Sequence, residues 1–195
     1  MSKHFCALVM LTIAALAQPL DLAAQGARRE LLAGSRVWVD GTSNKSDWSV
    51  AAGEVSGFVQ LQLKADQLEV SAGSFTVSAA KLASEQGVIM DRLMHGALKS
   101  DEHPDIVYQL GRATATPAAG GTYALATEGR VTIAGVTREI AQTVSAERLP
   151  DGTLRFKGSQ PVLMSEHGMK PPTAMFGTLR TGNRVVVHFE LLVKP

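Results

Sequence analysis

An imidazole beside a carboxylate is the smallest unit that can move protons, and Glu166-His167 offers one. Alone, that pair supports only the weakest of three functional readings, a hydrolase or isomerase. The other histidines past the N-terminal segment are His95, His103 and His188. None of the four stands at metal-ligand spacing from another histidine or a carboxylate cluster on one element. Each therefore reads as a solvated or hydrogen-bonded surface group, and no metal is expected. The Gly-x-Ser-x-Gly elbow, the His-Glu-x-x-His helix, the phosphate-cradling Gly-x-x-x-x-Gly-Lys loop and the dinucleotide Gly-x-Gly-x-x-Gly are missing. Cys6 is the only cysteine and lies in the N-terminal segment, so the rest of the chain has no disulfide scaffold, thiolate site or cysteine nucleophile. Neither an enzyme nor a cofactor is expected. Soft apolar side chains are plentiful instead: Met90 and Met94 fall in one segment, and Met164, Met169 and Met175 in another. Thioethers fill irregular apolar space well and can pack a core or touch a ligand.

The elements that position these groups begin after a leader. Lys3 and His4 precede Phe5 to Ala17, which is apolar apart from Thr12, and small residues follow at Ala15-Leu16-Ala17 and Ala23-Ala24. This is the layout of a secretory signal peptide, with an apolar run too short to span a bilayer. Cleavage after Ala17, Ala24 or Gly26 fits, Ala24 being favoured. Residues 1–24 are thus expected to be a leader and residues 25–195 one mature domain, periplasmic or secreted. Cys6 stands at the start of the apolar run instead of after it, which argues against a lipoprotein. A net charge of +1 with mixed signs leaves no electrostatic footprint for nucleic acid. No later run is long and apolar enough for a transmembrane segment.

Past the leader, period-two alternation dominates. Val59, Leu61 and Leu63 alternate with polar neighbours, as do Phe75, Val77 and Ala79. Ile106, Tyr108 and Leu110 share a side, as do Val131 and Ile133; Val185, Val187, Phe189, Leu191 and Val193 line another face. Such runs predict strands with one apolar face. Ala119-Gly-Gly, Pro150-Asp-Gly and Thr181-Gly-Asn read as turns between them. Several short strands joined this way make an antiparallel sandwich or an up-and-down barrel. One segment differs: Met90, Leu93, Met94, Ala97 and Leu98 share one face of a short helix over Asp91 to Leu98. Asp91 is its expected N-cap, and Pro104 blocks its continuation. The helix is expected to flank or plug the sheet. Trp38 and Trp48 are expected to pack in the core or at a barrel end, and Thr42, Ser43 and Asn44 to close a tight loop.

Three motifs occur in order: Gly41-Thr-Ser-Asn44 with Asp47-Trp48, the Met90-Asp to Ala-Leu-Lys99 helix, and a Gly168-x-x-Pro171-Pro172 crossing whose prolines exclude a ladder strand. Together they resemble the YceI-like family of periplasmic lipid-binding, lipocalin-like barrels, and the likeness covers nearly everything after the leader. It implies an all-β antiparallel barrel of about eight strands with a flanking or plugging helix. It also implies a lumen that, in some members, carries a polyisoprenoid or another long-chain amphiphile. No catalytic residue comes with the resemblance.

If the lumen holds such a ligand, the apolar strand faces should line it: Val37 and Val39, Phe75 and Val77, Ile106 and Tyr108, Val131 and Ile133, Val187 and Phe189. Met94, Met164, Met169, Met175 and Phe176 should join them at the wall or mouth. A long-chain lipid or polyisoprenoid is then the expected partner. The competing reading is a barrel filled by Phe75, Tyr108, Phe156, Phe176 and Phe189, acting as a stress or interaction module of the cell envelope. An eight-stranded barrel accommodates either.

Overall fold

The computed structural model describes residues 26–65 and 67–195; the expected leader lies outside the described residues. The strands are β1 (Ala27–Glu30), β2 (Arg36–Ser43), β3 (Asp47–Ala52), β4 (Val55–Lys64), β5 (Gln67–Ser78) and β6 (Leu82–Ser84). After helix α1 (Val88–Leu98) come β7 (Asp105–Ala118), β8 (Thr122–Ile133), β9 (Val136–Arg148), β10 (Leu154–Leu163), the two-residue β11 (Thr173–Ala174) and β12 (Leu179–Val193). All pairings are antiparallel, in the order β1-β4-β5-β7-β8-β9-β10-β12-β2-β3-β6.

The register closes this list into a ring. Glu30 faces Phe58 and Trp38 faces Ala51, so β1/β2 and β3/β4 are successive halves of two bent staves lying side by side. Val77 faces Val55 and Leu82 faces Ala52, so β5/β6 is a third bent stave. These three with β7, β8, β9, β10 and β12 make eight, and the pairing of Phe189 with Val37 joins the last to the first. The expected eight-stranded barrel is what forms. The bends sit where ladder bonds give way to loop bonds: Gly53 N–H donates to Lys81 O at 3.0 Å, and Leu32 N–H to Leu192 O at 2.7 Å.

The alternating residues point inward as their parity predicts. On β8, Leu125 and Thr127 are buried between exposed neighbours, and Tyr123 and Ile133 are buried on the same parity. One end of the barrel is packed shut by Val59, Leu61, Leu68, Leu125, Leu154 and Val193 among others. The other end carries α1, the β2–β3 loop and the crossing from β10 to β12. One pair of staves is barely joined: β9 and β10 share register only over Ser145–Arg148 and Leu154–Lys157. Beyond that they part, and a 3-10 turn at Met164–His167 bridges them, with Arg138 Nε donating to Glu166 O at 2.8 Å.

Several local expectations are corrected. The helix begins at Val88 with Gly87 as N-cap; Asp91 accepts the Ser84 N–H at 2.8 Å instead of capping. Thr181-Gly-Asn is no turn but an irregularity inside β12, where the register to β2 shifts between Thr181 and Val185. Ala134 and Gly135, both at positive φ, turn β8 into β9. Trp38 lies on the outer face, stacked on His188 at 5.1 Å. The crossing keeps its expected form, with no strand or helix across Lys170–Pro172 and Gly168 at φ 66°.

Candidate ligand-binding site

Inward-facing β-branched and aromatic side chains leave the middle of the barrel unfilled. Two chambers result. The outer one, under α1, leaves about 150 Å³ for the centre of a water-sized sphere; the inner one, towards the packed end, leaves about 170 Å³. One buried water needs roughly 10–15 Å³ by the same measure, so neither chamber is a packing defect. The chambers share Val37, Val77, Ile106, Ile133, Val162 and Val187, six side chains from six staves. These form a waist between them, with the two spaces end to end.

In the outer chamber the wall is Val39, Trp48, Val50, Leu82, Val185, Met164 and Met169, and the roof is Met90, Leu93, Met94, Ala97 and Leu98 of α1. No residue of α1 is fully buried. The helical face that could have packed a core instead closes over open space. Below the waist lie Phe75, Tyr108, Val131, Phe156, Phe189, Val144 and Leu191. Two glycines make room for aromatic walls across the ladder. A Cβ on Gly41 would stand 2.1 Å from Trp48 Cζ2, and one on Gly158 2.4 Å from Phe189 Cζ.

Among the described residues, neither chamber is lined by a charged side chain or a histidine. The polar atoms of the inner chamber come from Tyr108, Thr127, Gln142 and Gln160. Burial pushes the Tyr108 hydroxyl up, against hydrogen bonding with Thr127 and Gln142. Thr127 Oγ1 donates to Gln142 O at 3.0 Å. The lumen thus offers dispersion contact and a few neutral hydrogen-bonding groups.

Of the residues expected to line the lumen, Val37, Val39, Phe75, Val77, Met94, Ile106, Tyr108, Val131, Ile133, Met164, Met169, Val187 and Phe189 do line a chamber. Met175 and Phe176 do not: they stand outside, 65% and 110% exposed, on the tip between β11 and β12. Both hold positive φ at this exposed tip. Val162, a member of the waist, was missed along with Leu125, Val144, Val59 and Val70. Each shares the parity of a recognised apolar face or belongs to a strand whose alternation is interrupted. Trp48 lines the outer chamber and anchors its indole N–H on Thr42 O at 3.0 Å.

His167 departs from its expected surface position. It is buried, and its Nδ1 lies 3.1 Å from Val136 O, in the bridge between β9 and β10. It lines neither chamber. His95 contacts Leu82 O at 2.9 Å and seats the helix, while His188 pairs with Asp40 at 3.1 Å on the outer face. No group of three or more potential metal ligands occurs among the described residues, and no helix there is long and apolar enough to cross a membrane.

Comparison with solved structures returns the same barrel. A polyisoprenoid binding domain from Saccharophagus degradans implicated in plant cell wall breakdown matches with a TM-score of 0.67 at 10% identity, over 87% of this chain and 99% of that one. BcnA of Burkholderia cenocepacia matches at 0.63 and 16% identity, over 81% and 95%. A YceI protein of Campylobacter jejuni matches at 0.57 and 14% identity, over 75% and 84%. At such identities the likeness shows the fold alone. No curated protein sequence matches the chain. The family model of the YceI-like domain matches residues 11–193, and the chain belongs to that family.

Proposed function

We propose that the protein is an exported binding protein that holds the tail of a long-chain amphiphile, a polyisoprenoid by preference, inside the barrel. The observation that carries this reading is the pair of end-to-end apolar chambers, with no charged side chain among the described residues of their walls. Each methylene moved from water into such a space contributes about 0.8 kcal/mol, so a long tail needs few polar contacts. The Saccharophagus degradans domain, described as polyisoprenoid binding, supports the choice of ligand class. The leader-like N-terminus supports export.

The alternative of a side-chain-filled interaction module loses its premise at Phe176, which stands outside the barrel, and at the open chambers. A hydrolase built on His167 lacks access to the lumen, because that ring is buried in the bridge between β9 and β10.

The test is mass spectrometry on organic extracts of the purified protein, paired with thermal melts in the presence of polyprenols. A ligand at a hundred times its Kd stabilises by about 2.7 kcal/mol, which for a domain of this size is a rise in Tm of roughly 5–10 °C. Extracts without stoichiometric lipid, together with an unmoved Tm, would sink the carrier reading. Export is tested separately by N-terminal sequencing of protein from the periplasm, which should begin between Gln18 and Arg29.

A further inference from the structure

A carrier for a water-insoluble tail must meet that tail where it resides, and the mouth of the outer chamber has the features of a docking surface. Apart from Leu163, the exposed large hydrophobic residues among those described are Val88, Ile89, Met175 and Phe176. They form two pairs, each emerging from the chamber rim. Val88 and Ile89 lie between Gln86 and Met90, which both line the outer chamber. Met175 and Phe176 lie between Pro172 and Thr181, which line it too. Because Gln86, Met90, Pro172 and Thr181 all line this one chamber, the two pairs flank the same opening.

The lip from β11 to β12 is built rather than loose. Thr178 donates its N–H and its hydroxyl to Met175 O at 3.2 and 2.7 Å, and Arg180 Nε donates to Gly177 O at 3.0 Å. Asn44 clamps the tip from the β2–β3 loop, donating to Thr178 O and accepting from Arg180 N–H, both at 2.8 Å. Met175, Phe176 and Gly177 all hold positive φ, an uncommon state for the first two. The hydrogen bonds hold that backbone in place while its two largest apolar side chains face water, 65% and 110% exposed.

Charge identifies the occupant. From Lys170 to Arg184 the chain carries Lys170, Arg180 and Arg184 and no acid, and Lys45 adjoins the Asn44 clamp. The other lip carries Glu85 and Asp91 against Arg92 alone, with Asp91 turned to the Ser84 N–H, so the bases gather at the tip between β11 and β12. An apolar tip framed by bases fits a bilayer surface with anionic headgroups, where apolar side chains enter the acyl boundary and Lys and Arg meet phosphates.

We infer that the mouth docks on an anionic phospholipid surface, with Met175 and Phe176 as the inserting tip and Val88 and Ile89 as the second contact. This extends the carrier reading, and its test is separable from it. The protein, in the N-terminal form that the cell leaves, is sedimented with phosphatidylcholine vesicles in which about a third of the lipid is phosphatidylglycerol. It is compared with the double variant Met175→Ser/Phe176→Ser in the same N-terminal form. Vesicle binding should fall by about tenfold in the double variant, and wild-type binding should weaken with salt and on pure phosphatidylcholine. In Phe176→Trp, emission should shift to the blue on adding the anionic vesicles. Since both side chains lie outside the chambers, a short prenol added from solution should bind the double variant with wild-type affinity.

Wild type that ignores anionic vesicles overturns the inference, and so does a double variant that binds like wild type. Self-association lost in that variant, without vesicle binding, would assign the lip to a second copy of the chain and overturn it as well. Vesicle binding with an empty lumen would leave the docking surface standing and remove the carrier.

Discussion

Ile133→Trp tests the lumen at its narrowest point. Ile133 is buried and belongs to both chambers, in the waist with Val37, Val77, Ile106, Val162 and Val187. An indole there meets five aliphatic side chains from other staves. Overfilling a well-packed core costs about 1–3 kcal/mol, and here the flanking chambers give the ring somewhere to lean. The variant should therefore fold with a modestly lowered Tm. Its effect on binding depends on chain length. A ligand entering under α1 fills the outer chamber first and reaches the inner one only through the waist. Each isoprene unit has five carbons, contributing between about 1.5 kcal/mol at ~0.3 per atom and about 4 kcal/mol at ~0.8 per carbon. Excluding one unit from the inner chamber should weaken binding by roughly 10- to 1,000-fold. Titrating prenols of increasing length, by calorimetry or competition with a fluorescent lipid, separates the cases. In wild type, affinity should keep rising with length; in Ile133→Trp it should level off at the length that fills the outer chamber. Short prenols should bind both proteins alike. A folded variant whose affinity still climbs with length would show that the tail does not pass the waist.

Three further outcomes follow from other parts of the barrel. Phe189→Asp places a carboxylate in the inner chamber, where burial of charge is unfavourable; it should cost about 3 kcal/mol or more in denaturant unfolding and abolish long-chain binding. Gly41→Ala drives a methyl to within 2.1 Å of Trp48, displacing the indole from Thr42 O; a loss of about 1–3 kcal/mol and altered tryptophan emission are expected. The Asp151 carboxylate accepts the Thr153 N–H at 3.0 Å and the Thr153 hydroxyl at 2.8 Å, and these bonds hold its pKa below the ordinary carboxylate value. With the folded pKa below the unfolded one, its stabilisation is present above the ordinary value and lost as pH falls through the depressed one. Asp151→Asn should therefore flatten the acid limb of Tm against pH, and an unchanged limb would show the bond to be idle.

Much of this barrel could be read in advance because the side-chain period of a strand is local. Wherever a run alternated, its apolar parity pointed inward, from Val59-Leu61 to the five inward positions of β12. Ring closure was not visible in that way, since three staves are bent and their halves look like separate strands. Thr181-Gly-Asn misled because residues that tolerate tight turns also occupy irregular stretches of strand. His167 was placed outside because a polar ring was equated with solvent, whereas a single carbonyl partner suffices to bury it. Met175 and Phe176 failed in the opposite sense. Apolar type does not guarantee burial, and the positive φ at this exposed tip depends on clamps from Asn44 and Arg180.

The short ladder between β9 and β10 gives this closed cylinder something a cylinder otherwise lacks, which is edges. Beyond Ser145 on one side and Lys157 on the other, two strand flanks run without each other's hydrogen bonds. Pro161 sits on one of them, a place where the missing donor costs no ladder bond. The other carries exposed Arg138 and Glu139, charges that discourage pairing with a foreign strand. Amide hydrogens along this seam should exchange with solvent at rates set by local opening rather than global unfolding. Ile140, Gln142 and Gln160 of the inner chamber lie on these same flanks. Local opening of the wall is therefore expected beside the inner chamber while the other staves stay zipped and the helix keeps its seat.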